Sequence, residues 1–256
     1  MTSLGDGTPV KAKSRPAFDY MVELVNELQA CSVESARAAL RAFILVRRRY
    51  WPVYTAGTGS LTATPENLHE KIERLVRDNS EGGARAQAAA AGLLDVFAGD
   101  GRVESGRIND PSKHYPGDVV VVTESETGPA VWEKAIEVRD KPVKASDVIV
   151  FVAKCAQMGA REAAVLMVSP GQPVLDDAQL RASALQKGIG LTLFYGWEAF
   201  TSQALFWAAA PKVLAASEAV ERIENRLIAV EASPAAVATW QTLVRVPAQE
   251  FGAPIE

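Results

Sequence analysis

Val119-Val120-Val121-Val122 is the stretch that most narrows what this chain can fold into. β-Branched residues in succession suit a strand and crowd a helix. Side chains alternate between the two faces of a strand, so an apolar run without a polar break describes a strand buried on both sides, in a sheet covered by helices.

The surrounding pattern agrees. Arg102 to Ile108 reads as a short strand, Gly117 to Thr123 as the buried one, and Ala130 to Arg139 alternates as a third. Ser146 and Asp147 then cap a helix carrying Val148, Ile149, Val152 and Ala156, closed by Gly159. Strands follow at Ala163–Val168 and Gly190–Tyr195, separated by a helix from Asp176-Asp177 to Gln186 with Gly188 as its stop. From Trp197 the chain reads as helical, with Pro211 and Pro234 as boundaries. The order is a three-strand meander followed by helix-linked strands, a mixed α/β sheet.

The first third reads as helices. Phe18, Met21, Val22, Val25 and Leu28 recur at helical spacing, and a second helix starts after Ser32, with Leu40, Phe43, Ile44 and Val46 on its apolar face. Thr55 to Thr62 reads as a loop. Thr64-Pro65-Glu66 and Ser80-Glu81 are helix-start signals. The polar, Gly-rich opening residues read as a disordered leader without the apolar core of a signal peptide. No 18-residue apolar run is present to span a membrane. The two cysteines, Cys31 and Cys155, make no disulfide framework and read as free thiols. The net charge of −4 does not announce a nucleic-acid binder, although Arg47-Arg48-Arg49 and the group Arg102, Arg107, Lys113, His114 concentrate positive charge locally.

Two acids carry the chemistry. Asp118 opens the valine strand and Glu137 lies within the next one. A carboxylate in an apolar strand is costly unless something compensates it, and a divalent cation is one such partner. Strand alternation places Glu137, Arg139 and Lys141 on one face, Ile136 and Val138 on the other. If the two strands pair as a hairpin, Asp118 and Glu137 converge on one ion, an arrangement suited to phosphodiester hydrolysis. The alternative is a turn aspartate and a glutamate paired with a surface lysine. His69 and His114 form no zinc motif, and Gly57-Thr58-Gly59-Ser60 lacks the lysine of a phosphate loop.

Three blocks in order carry a family resemblance: Ser80-Glu81-Gly82-Gly83-Ala84-Arg85-Ala86-Gln87; Gly106-Arg107-Ile108-Asn109-Asp110-Pro111 through Pro116-Gly117-Asp118; and Glu137-Val138-Arg139-Asp140-Lys141-Pro142. Over roughly residues 64–170 the chain resembles the SacI family of type II restriction endonucleases, within the PD-(D/E)xK nuclease superfamily. The resemblance implies an αβββαβ nuclease core and a Mg²⁺-dependent, sequence-specific double-strand cut in DNA. It also implies a homodimer and a bacterial cytoplasmic setting. Asp118 and Glu137 would be metal ligands, with Glu81 as an outer ligand or a simple helix-start acid. Arg107, Lys113 and His114 would be DNA contacts. The family has lysine where this chain has Arg139, which cannot release a proton near neutral pH. Arg139 then serves electrostatically, or Lys141 takes part, or the enzyme is crippled.

The expected organisation is a helical N-terminal lobe over residues 1–79 (1–15 disordered), a PD-(D/E)xK core over 80–210 and a helical C-terminal region over 211–256. The rivals are a DNA-binding protein on a degenerate nuclease core that no longer cuts, and an interaction protein on an unrelated α/β fold.

Overall fold

A computed structural model describes residues 8, 10, 12–106, 115–123 and 131–246. The chain divides into two compact units, one up to Val53 and one from Tyr54 onward. The first holds α1 (Arg15–Gln29) and α2 (Val33–Arg49), which pack on each other across a short connection. Ser32 caps α2, its hydroxyl accepting from the Ser35 amide at 3.2 Å.

The second unit runs β1 (Ser60–Leu61), α3 (Leu68–Asp78), α4 (Ala84–Ala98), β2 (Val103–Ser105), β3 (Val119–Thr123), β4 (Val131–Arg139), α5 (Ala145–Met158), β5 (Glu162–Met167), α6 (Asp177–Leu185), β6 (Gly190–Tyr195), α7 (Trp197–Trp207), α8 (Lys212–Ala229), α9 (Pro234–Val244) and β7 (Arg245–Val246). The main sheet has five strands in the order β2-β3-β4-β5-β6. Its first three are antiparallel and its last three parallel, as a meander followed by two helical crossovers requires. The sheet is mixed α/β with helices on both faces. Val120, Val122, Ala135, Val165 and Met167 pack under α5 and α6 through Val148, Phe151, Val152, Cys155, Leu180 and Ala184. Val119, Val121, Ile136 and Leu166 point the other way, into a larger core built with α3, α4, α7, α8 and α9. The valine run is thus shared strictly by alternation between two cores.

The larger core depends on close helix approach. Gly92 of α4 lies against α8, where an added Cβ would sit 2.7 Å from the Ile223 amide nitrogen. Arg226 of α8 ties the pair, donating from Nε and an Nη to both oxygens of Asp95 at 2.7 and 2.6 Å, and to the Val103 carbonyl at 2.8 Å. Trp240, fully buried, donates its indole N–H to the Val220 carbonyl at 3.0 Å.

Several expectations are adjusted. The compact unit begins at Tyr54 rather than at Ser80, because Leu68, Ile72, Leu75 and Val76 of α3 are buried in the core shared with α7 and α9. For the same reason α8 and α9 are part of that unit and not a separate C-terminal region. α3 starts at Leu68, not at Thr64, since the Asn67 side chain accepts from the Thr64 amide at 2.8 Å and shapes a turn there. Ser80-Glu81 opens a 3₁₀ turn; Glu81, Gly82 and Gly83 have positive φ, so α4 begins only at Ala84. The loop read over Thr55–Thr62 contains β1, which pairs antiparallel with β7. Among the described residues no helix is long and apolar enough to cross a membrane, and Cys31 and Cys155 are both free thiols.

Candidate active site

β3 and β4 pair with Val119 opposite Ile136. Continuing that antiparallel register one step sets Asp118 opposite Glu137. Both acids belong to the face covered by α5: Glu137 alternates with Ile136 and Val138, which point into the other core. The close approach depends on Gly117, since a Cβ there would lie 2.6 Å from the Ile136 carbonyl oxygen. The Asp118 carboxylate accepts from the Val138 amide at 2.9 Å, which fixes it across the strand pair. Its own carbonyl is held from beneath by Gln87 of α4, whose side-chain amide donates to it at 3.1 Å and also to the Gly106 carbonyl. Gln87 is buried and positions Asp118. In the sequence Gln87 stands only as part of a motif, and a polar residue beside an alanine run is the available signal.

The electrostatics follow from this placement. Burial raises the Asp118 carboxyl above the usual carboxylate range, although the Val138 amide and the Arg139 and Lys154 charges oppose the shift. Burial raises Glu137 further, to about 7, and the neighbouring Asp118 charge adds to it. Cys155 on α5 is pushed up to about 12, chiefly by burial and then by Glu137. The two acids, on one strand pair and against α5, resist ionising together, and the Arg139 and Lys154 charges offset this only in part.

The other residues read from the sequence take different positions. Arg139 shares the Glu137 face, as alternation requires, and its guanidinium forms an ion pair with Glu137. Its side chain is 50% exposed, whereas that of Glu137 is 15% exposed. Lys141 does not continue that face. β4 ends at Arg139, and Asp140-Lys141 bends away before Pro142. Lys141 instead lines a separate cleft of about 330 Å³ with Glu73, Arg77, Val168 and Trp197. Glu81 is committed elsewhere as well. Its carboxylate accepts from the Ser233 amide and hydroxyl at 3.0 and 2.6 Å and from Arg85 at 2.9 Å, joining the start of α4 to the start of α9. Its oxygens serve a helix junction, and these bonds hold its carboxyl below the usual range despite partial burial. Arg107, Lys113 and His114 lie outside the described residues.

Sequence reading missed Lys154. It lies on α5 between Phe151 and Cys155, half buried, and its charge acts on both Asp118 and Glu137. An apolar cavity of about 330 Å³, lined by Phe97, Ile136, Phe194, Phe200 and Trp207, opens on the opposite face of the sheet and contains neither carboxylate.

A five-stranded mixed sheet flanked by helices, with two facing carboxylates where the antiparallel pair meets the parallel strands, is consistent with a nuclease-like fold. No family model matches the chain. It is 29% identical over 184 residues to the type II restriction enzyme SacI of Streptomyces achromogenes, a match covering 70% of this chain and 48% of that protein. The chain thus spans about half the length of the curated relative it matches.

Proposed function

We propose that this chain is a Mg²⁺-dependent endonuclease of the type II restriction class, built on a PD-(D/E)xK core, that hydrolyses phosphodiester bonds in both strands of a DNA site. The observation that carries the reading is the pairing of Asp118 and Glu137: acids on adjacent strands, on one face, largely buried against α5, with Glu137 raised to about 7. The similarity to a restriction enzyme supports the substrate class.

The donor set suits a hard, oxygen-seeking dication. Mg²⁺ is usually held by one or two carboxylates, with water and substrate phosphate completing its shell. Among the described residues no group of three or more His, Cys, Asp or Glu stands ready to hold a metal, so Asp118 and Glu137 would hold it as a pair. When bound, the ion would polarise the scissile phosphate and lower the pKa of an attacking water. The chain's own contribution is positioning. The Val138 amide and Gln87 hold Asp118 rigidly, and α5 excludes water behind both acids. A dication also removes the penalty of two buried charges side by side, so metal binding and full ionisation of the pair go together.

Among the described residues there is one such pair, and cutting both strands of a symmetric site calls for two, so the working form is a homodimer on double-stranded DNA in the bacterial cytoplasm. A second reading, a DNA-binding protein on a degenerate core, draws on Arg139, whose ion pair occupies an oxygen that the metal needs. Incubation with plasmid DNA and Mg²⁺ separates the two. The enzyme yields discrete fragments whose mapped ends define one site, and Asp118→Ala and Glu137→Ala abolish them while leaving DNA binding in Ca²⁺ largely intact. Binding without cleavage under all metal conditions would establish the second reading.

A further inference from the structure

A carboxylate pair that activates water on a phosphodiester needs a cation facing the phosphate, and three contend for that place. Arg139 is half exposed and already paired with Glu137. Lys141 lies past the end of β4, in a cleft with Glu73 and Arg77. Lys154 stands on α5, the helix that covers the two acids. Phe151, Val152 and Cys155 anchor this part of α5 to the sheet, and Cys155, fully buried, lies close enough to Glu137 for that charge to raise its thiol. Lys154, adjacent to Cys155 and one turn from Phe151, is carried to the margin of the same contact. It is half buried, and among the described residues it forms no ion pair or hydrogen bond.

Such a side chain buries its stem along the helix–sheet seam and delivers its ammonium at the rim. The ammonium is near enough to act on both carboxylates, yet it makes no direct ion pair with either. A tight ion pair would satisfy the charge and block the ligands. The stand-off leaves the ammonium free for a third anion placed between them, and a non-bridging oxygen of the scissile phosphate fits that description.

We infer that Lys154, supplied by α5, is the catalytic lysine of this site, in the place that Arg139, already paired with Glu137, leaves open. The inference rests on the endonuclease reading above. In the reaction a water oxygen forms the new bond to phosphorus, the bond from phosphorus to the leaving oxygen breaks, the water gives a proton to solvent, and the leaving oxygen takes one from solvent. Lys154 neutralises charge gathering on the phosphate oxygens. Arg139 pairs with Glu137 and would yield that oxygen to a bound ion.

Two measurements on the full-length chain test this. Single-turnover cleavage of plasmid DNA in Mg²⁺ should fall about 10²- to 10³-fold in Lys154→Ala and in Lys154→Met, which preserves the packed stem. It should stay substantial in Lys154→Arg and change little in Lys141→Ala. Calorimetric titration with Mn²⁺, without DNA, should move the opposite way. Removing a positive charge beside the ligands should tighten metal binding roughly threefold or more in Lys154→Met, with no change in Lys141→Ala. A merely structural lysine would weaken both together, and that result overturns the inference, as does wild-type cleavage by Lys154→Met. If wild type and variants alike cut no DNA, the endonuclease reading fails. The titration still judges Lys154: tightened Mn²⁺ binding upholds its placement at the pair, and unchanged binding refutes it.

Discussion

Glu137→Gln should make the metal-free protein more stable, and by an amount that depends on pH. In the folded chain Glu137 titrates near 7, against an ordinary value of 4.5. Between those values the native state holds a proton that the unfolded state has released, so stability falls as pH rises through the window and stays lowered above it. A shift of this size corresponds to on the order of 3 kcal/mol, with Asp118 adding in the same direction. Glutamine keeps the volume and removes the charge. The opposing pull of half-exposed Arg139 on the Glu137 charge is already contained in that shift. The net expectation is a gain of about 3 kcal/mol at pH 8 and close to none at pH 4.5. Urea unfolding in EDTA at pH 4.5, 6 and 8 would measure it, followed by the fluorescence of the buried Trp197 and Trp240. Saturating Mg²⁺ should reverse the order at pH 8, because metal at a thousandfold excess over Kd adds about 4.1 kcal/mol to a chain that binds it. A difference between wild type and variant that is the same at pH 4.5 and pH 8 would refute the electrostatic account of the pair.

Three further outcomes are expected. Gly92→Ala should force α4 and α8 apart at Ile223 and cost about 1–3 kcal/mol, read as a lowered urea midpoint. Arg226→Met should be among the most damaging single changes, about 3–5 kcal/mol, because it strands Asp95, whose side chain is 9% exposed; thermal unfolding would show it. Ser233→Ala removes the α9 cap and the donor to Glu81. It should cost about 1 kcal/mol and leave cleavage untouched, whereas a fall in metal affinity would return Glu81 to the metal site.

What could be read from the sequence was whatever local order encodes. The valine run, the β4 alternation and the Gly159, Pro211 and Pro234 punctuation placed the strands and helices of the sheet region to within a few residues. The acids at 118 and 137 stood out because charge in an apolar strand has no local explanation. Most of what was not legible depends on contacts between residues remote in sequence. Glu81 looks like a helix-start acid until Ser233, on another helix, claims both its oxygens. The pairing of β1 with β7 joins opposite ends of the second unit through two residues each, too short to leave a periodicity. Lys141 was assigned by extending a strand period past the bend that ends it. Lys154 was invisible for the converse reason: helical spacing says which face a residue takes, but not which strand atoms lie beneath that face.

On the endonuclease reading, the same asymmetry explains how this chain can carry arginine at position 139, where the nucleases it resembles have lysine. The position after the glutamate is fixed by strand geometry, so any residue there shares the Glu137 face, and Arg139 does. Sharing a face does not require a particular chemistry. At the exposed end of β4 a guanidinium folds back onto the nearest carboxylate, where it lessens the repulsion between Asp118 and Glu137 in the metal-free protein. A cation meant for substrate must instead stay unpaired while the site is empty, which calls for a stem held by packing and a head held off the acids. The margin of α5 supplies that combination and the strand does not. On the endonuclease reading, the strand cation can therefore change to arginine without loss of function, because the cation directed at the phosphate is supplied by the helix.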